Sequence, residues 1–222
     1  TISRANSDGT FDLFGNGGAV NSGWLSGEDG FLAVDANGNG RIDDISEMFG
    51  GLAKGDGFAK LASYDSNGDG VVDANDADFA SLKIWQDANG NHQTDAGELV
   101  SLTEAGVASL TVSYTELPFV DAQGNLHLER SNATLADGSS VDMTDVYFNV
   151  SAEDAAAANV EIATLSQLMG DDSGLDGLLT GIGGGGGVSA SSSANAGMFD
   201  TAGLDSLSRM AALYEEQAAC CA

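Results

Sequence analysis

The sequence predicts an α+β fold: EF-hand-like calcium loops joined by short helices and antiparallel hairpins, then a helical, Gly/Ser-rich C-terminal tail. Three observations carry this. Stretches of alternating Asp and Asn ending in a turn glycine recur in the first half of the chain. Between and after them lie short segments with strand or helix periodicity. Near residue 150 the composition turns from aromatic-containing to Ala, Gly and Ser.

The charge explains why such loops are informative. Of 222 residues, 34 are Asp or Glu and 7 are Lys or Arg, a formal net charge of -27. That excludes nucleic acid and anionic membrane as partners, since both recruit positive charge. It suits hard cations, which prefer oxygen ligands. The 42% hydrophobic content supplies a folded core. No apolar run approaches the roughly 20 residues that span a bilayer. A first residue of Thr1 rather than Met is expected of a processed chain or a fragment.

The clearest loop is "DSNGDGVVDAND". Calcium loops of this type place ligands at positions 1, 3, 5, 7, 9 and 12, with glycine at 6 for the sharp turn. Alternation lets a short loop wrap a cation with side-chain oxygens, and the position 7 ligand is a backbone carbonyl. Here the ligands are Asp65, Asn67, Asp69, the Val71 carbonyl, Asp73 and Asp76, with Gly70 at the turn. A loop before it, "DANGNGRIDDISE", offers Asp35, Asn37, Asn39, the Arg41 carbonyl and Asp43, but Ser46 holds position 12, so the closing acid shifts to Glu47. A loop after it, "DANGNHQTDAGE", offers Asp87, Asn89, Asn91, the Gln93 carbonyl, Asp95 and Glu98. There His92 replaces the turn glycine, at some strain in positive φ. We number these loops 1, 2 and 3 in chain order.

Asx-rich turns alone would account for the Asn-Gly pairs. They do not account for acids at positions 9 and 12 or 13. The cofactor is therefore expected to be Ca2+. Magnesium demands a tighter octahedral shell. Zinc lacks thiol or imidazole clusters, since His92 and His127 are the only histidines and no cysteine lies near them in sequence. Asn at both positions 3 and 5 lowers the ligand charge of loops 1 and 3, and His92 strains loop 3, so loop 2 is expected to bind tightest. A degenerate fourth loop, "DLFGNGGAVNSG", keeps Asp12, Asn16, Gly17 and Asn21, but Phe14 stands at position 3 and cannot ligate.

Only ten residues separate Asp76 from Asp87, too few for complete helix-loop-helix hands. "ADFASL" reads as a short helix, "LKIWQD" as a strand, "DAGELVSLTEAG" as a helix and "VASLTVSYTEL" as a strand. "NLHLERSNATLADGSSVDMTDVYFNV" reads as a hairpin turned at Asp137-Gly138. Trp24, Phe31, Phe49, Phe58, Phe79 and Trp85 are expected in the core.

"GWLSGEDGFLAVDANGNGRIDDISEMFGG" and "GFAKLASYDSNGDGVVDANDADFASLKIWQDANGNHQTDAGELVSLTEAGVASL" resemble the calcium-dependent self-processing module of Frp-type RTX (repeats-in-toxin) proteins of Gram-negative bacteria. The resemblance covers about residues 11–150. It implies export by type I secretion, a secreted or surface location, and folding on meeting calcium. It also implies cleavage of an upstream Asp-Pro bond. The only proline here is Pro118, after Leu117, and Phe14 damages the family's first loop. The expected function is therefore a calcium-folded structural or interaction module with no catalytic residues. The alternative is an autoprocessing module whose scissile bond lies upstream.

Residues 1–150 are thus expected to form the calcium-binding module and 151–222 the tail. Apolar stripes suggest helices at 153–169 and, through Leu204, Leu207, Met210 and Tyr214, at 203–219; "GIGGGGGVSASSSANAG", 181–197, reads as a linker. The tail is expected to serve self-association, a surface partner or export. Cys220 and Cys221 can pair within the molecule only with each other, in a strained bridge, or else cross-link chains or stay free.

Overall fold

Alternation of apolar and polar residues settles most of the architecture. The structure, a computed structural model, describes residues 1–51, 53–157 and 198–200. Strands β1 (Phe31–Val34), β3 (Leu82–Trp85) and β4 (Leu99–Ser101) form one antiparallel sheet in the order β1-β3-β4. A second sheet holds β2 (Val71–Asp73), β5 (Val107–Thr111), β7 (Leu126–Leu135), β8 (Ser140–Val150) and β9 (Met198–Asp200) in the order β2-β5-β7-β8-β9. There β6 (Thr115–Val120) pairs with β7, and β9 joins β8 in parallel.

This corrects the expected α+β class. Among the described residues the fold is β-rich and mostly antiparallel, with α-helix only at α1 (Asp56–Ala62) and α2 (Ala152–Ala157). It is not an EF-hand arrangement. Loops 1 and 3 are entered from strands β1 and β3, and only loop 2 follows a helix. The helix expected in "DAGELVSLTEAG" is instead β4 and a turn. Gly97 and Gly106, at φ +92° and +77°, punctuate that segment, leaving it too short for a self-sustaining helix. Its Leu99 and Val100 find partners in Trp85 and Ile84 of β3. "ADFASL" forms only a 3-10 turn, Phe79–Ser81. "VASLTVSYTEL" divides into β5 and β6, and the Val112 N–H between them donates to Gly70 O at 3.1 Å.

The β7–β8 hairpin turns where expected. Gly138 takes φ +84°, and Asp137 Oδ1 accepts the Ser139 N–H at 2.9 Å. Two cores result. The first gathers Phe11, Phe14, Trp24, Phe31, Trp85 and Phe148; the second gathers Phe58, Leu61, Val72, Phe79, Leu82 and Leu110. Strand β3 joins them, since Leu82 enters the second and Trp85 the first. Phe49 is only partly buried, against the second core. Full burial of an apolar side chain contributes about 1.5–3 kcal/mol. Most of the expected helix at 153–169, the linker at 181–197, the helix at 203–219 and Cys220 and Cys221 lie outside the described residues.

Candidate cation-binding loops

The three loops share one hydrogen-bond plan. The position 1 carboxylate folds back over the turn. Asp35 accepts the N–H groups of Asn39 (3.1 Å) and Gly40 (2.8 Å). Asp65 accepts Asp69 (3.2 Å) and Gly70 (2.9 Å), and Asp87 accepts Asn91 (3.2 Å) and His92 (2.9 Å). The closing acid does the complementary work. Glu47 accepts the N–H of Ala36 at 3.0 Å and of Asp43 at 2.9 Å. Asp76 accepts Ser66 at 2.8 Å and Asp73 at 2.9 Å, and Glu98 accepts Ala88 and Asp95, both at 3.0 Å. Glu47, one residue late in sequence, thus takes the same place as Asp76 and Glu98.

Positions between these anchors repeat as well. The side-chain oxygens of Asn37, Asn67 and Asn89 accept the N–H two residues on. Those of Asn39, Asp69 and Asn91 accept the N–H of Arg41, Val71 and Gln93. In loops 1 and 3 the amides of both asparagines donate to one carboxylate oxygen, Asp43 Oδ2 or Asp95 Oδ2. These bonds hold Asp43 and Asp95 below the usual carboxylate range, with Arg41 adding to the effect on both. Backbone N–H donors from Asp73, Asn67 and Ser66 lower Asp76 likewise. Among the described residues, no three or more His, Cys, Asp or Glu side chains converge as a metal-holding group.

Supports differ between loops. Loop 2 contains β2, whose Val72 pairs with Leu110 of β5. Loops 1 and 3 meet each other: the Ile42 N–H donates to Thr94 Oγ1 at 2.9 Å. Loop 3 is also tied to the first core, because Trp24 Nε1–H donates to Asp87 Oδ2 at 2.8 Å. His92 sits at φ +61°, stacks on Trp24 at 4.0 Å with planes 16° apart, and shares a 2.9 Å hydrogen bond with Ser7 Oγ. Burial pushes its imidazole down to about 4. Gly9 lies under the ring, where a Cβ would come within 2.4 Å. The degenerate loop keeps the same turn, with Asp12 accepting Asn16 and Gly17 N–H groups, while Phe14 is buried in the first core.

A family model described as the SPM domain matches residues 1–149. The chain belongs to the SPM-domain family. It is also similar to the iron-regulated protein FrpA of Neisseria meningitidis serogroup C, 36% identical over 170 residues, which is 68% of this chain and 15% of FrpA. The Frp-type relationship implied by the sequence phrases therefore holds.

Sequence reasoning missed a second acidic group in this SPM domain. Glu129 is fully buried, and Tyr147 O–H donates to its carboxylate at 3.0 Å. Burial raises Glu129. Asp145 retains some contact with solvent, yet burial, then Glu129 and Asp56, push it up to about 7. The two acids lie on β7 and β8 in "LERSNATL" and "DMTDVYF", where no spacing marks them as neighbours; they approach across the register irregularity between His127 and Arg130, close enough for Glu129 to act on Asp145. A cavity of about 830 Å³ between the cores is lined by Asp145 and Tyr147 at one part and by Phe31, Met48, Leu61 and Ile84 elsewhere. No helix among the described residues is long and apolar enough to cross a membrane.

Proposed function

We propose that this SPM domain is a calcium-binding structural or interaction module of a secreted or surface bacterial protein, and that calcium folds it. One observation carries the reading: three loops of different sequence orient their first and closing carboxylates by the same backbone donors. Those N–H bonds engage both oxygens of each carboxylate and curl the loop around them, so an ion would take the lone pairs that the N–H groups leave. A calcium ion would be held by Asp35, Asn37, Asn39, Asp43 and Glu47, by Asp65, Asn67, Asp69, Asp73 and Asp76, and by Asp87, Asn89, Asn91, Asp95 and Glu98, with the carbonyls of Arg41, Val71 and Gln93. In loops 1 and 3 the ion would replace the Asn amide donors at Asp43 and Asp95.

The charge supports the same reading. At -27 the chain repels itself, and a ligand that binds only the folded form stabilises it by mass action. Extracellular calcium modules bind at roughly 10⁻⁴–10⁻³ M, so such a module would stay open in a low-calcium cytoplasm and close outside. FrpA-like kinship supports a secreted or surface setting. Autoprocessing is the second reading; it needs an Asp-Pro bond, which Thr1–Ala222 does not itself contain.

Circular dichroism and thermal melting in chelator, in millimolar magnesium and in millimolar calcium test the proposal. The expected result is a calcium-specific gain of β signal and a melting temperature higher by about 10 °C or more, following a few kcal/mol of linkage. An identical spectrum and melting temperature in chelator and in calcium would reject it.

A further inference from the structure

Resting on the calcium reading above, we propose that loops 1 and 3 act as one coupled pair, an ion at either raising the affinity of the other beyond the linkage that folding gives all three loops, while loop 2 rests on a separate support. The joint is the bond from the Ile42 N–H to Thr94 Oγ1, 2.9 Å long. Each residue holds position 8 of its loop, between the position 7 carbonyl and the position 9 acid. In loop 1 these neighbours are Arg41 and Asp43; in loop 3 they are Gln93 and Asp95. An ion that fixes one pair therefore fixes the backbone or hydroxyl that the other loop leans on.

Two further features tie the same loops together. Arg41 acts electrostatically on both Asp43 and Asp95, so its charge is shared between the loops. Ile42 is buried in the first core with Trp85, and Trp85 leads directly into loop 3. Loop 2 has a different support. Its position 8 residue, Val72, is buried in the second core and pairs with Leu110 of β5. The physical basis is shared ordering: the first ion immobilises the joint, and the second then loses less conformational freedom. By linkage the effect is reciprocal.

The test uses the full chain and calcium alone. Trp24 and Trp85 are the only tryptophans and both lie in the first core, so their fluorescence follows loops 1 and 3. For the wild type we expect a titration with a Hill coefficient of about 1.5. Thr94→Val should lower it, and Thr94→Ser, which keeps the hydroxyl, should restore it. Asp35→Ala should raise the calcium midpoint of the Trp24 signal about five-fold or more, through loss of loop 1 alone. Circular dichroism in saturating calcium confirms that each variant is folded, and should Asp35→Ala not fold, the two Thr94 variants decide. Equal slopes and midpoints for wild type and Thr94→Val would overturn the coupling and leave the loops as independent calcium sites. No calorimetric heat with the wild type would reject calcium binding itself, and the coupling with it.

Discussion

Loop 2 and loop 3 share a hydrogen-bond plan but not a foundation. Loop 2 follows a short helix and hands Val71–Asp73 to the long sheet. Its position 1 acid, Asp65, meets only backbone donors of its own turn. Loop 3 is set into the aromatic core. Its Asp87 is 3% exposed and accepts the Trp24 indole, and its turn residue is an imidazole stacked on that same ring. Identical local chemistry can therefore be mounted on a sheet edge or in a core. The mounting decides what else moves when the loop does. A cation at loop 3 would be felt by Trp24, whereas one at loop 2 would be felt first by β5.

The largest expected effect comes from cutting that mounting. Trp24→Phe removes the indole N–H, leaves a buried carboxylate short of a donor, and opens space beside Phe31 and Phe148. Together these should cost about 3 kcal/mol. Thermal or urea unfolding in saturating calcium measures the loss, and calorimetry should show the loop 3 site weakened with loop 2 retained. An equal weakening of both sites would show that the two loops share one support.

Next is a pH effect confined to the side of loop 2. Asp145 sits among Glu129 and Asp56, and its carboxyl is raised to about 7 from an ordinary 3.8. A carboxyl raised in the folded state favours folding fully below 3.8 and loses that contribution as pH climbs towards 7. Asp145→Asn removes the titration. Allowing for its partial solvent contact, it should raise stability at pH 7.5 by about 2 kcal/mol and flatten the profile between. Chemical denaturation at several pH values checks this. A variant as pH-sensitive as the wild type would assign the slope to another group.

How much of this was legible in the sequence depends on range. The carboxylates that anchor each loop by hydrogen bonds, including the late Glu47, and the hairpin at Gly138 follow from spacing and turn chemistry, and each is local. The strand at Leu82–Trp85 was legible because its alternation divides cleanly between two cores. "DAGELVSLTEAG" was not, because Leu99, Val100 and Leu102 lie at spacings that serve a helix or a strand. Pairing with β3 decided between them, and pairing is non-local. The same reason hid the Glu129–Asp145 pair and the Trp24–Asp87 bond, residues 16 and 63 positions apart. The strain at His92 was visible from its place in the loop; the ring it stacks on was not.

A smaller effect should separate the loops by affinity. Asp65→Ala ought to weaken loop 2 at least about ten-fold, some 1.4 kcal/mol. If the supports are separate, the tryptophan midpoint should shift by less than it does for Asp35→Ala, because only the linkage through folding remains. Calorimetry and fluorescence on one sample give both numbers. Loop 2 is also expected to bind tightest of the three, so Asp65→Ala should remove the highest-affinity calorimetric step. A highest-affinity step that survives would give that rank to loop 1 or loop 3.

The smallest expected change is the most discriminating. His92→Gly gives loop 3 the turn glycine that loops 1 and 2 possess. Relief of a non-glycine residue at φ +61° should return about 1 kcal/mol. Against this stand the stack on Trp24, the bond to Ser7, and a buried ring packed over Gly9. Losing a buried aromatic contact and its cavity costs about 2 kcal/mol even with some collapse. The net should be a loss of about 1 kcal/mol, a few degrees in melting temperature. Calcium affinity of loop 3 itself should change little, because Asp87 still accepts the N–H at position 92. A melt at saturating calcium decides the sign. If His92→Gly is the more stable protein, the turn strain outweighs the stack, and the histidine is a burden on loop 3 rather than part of what anchors it to the core.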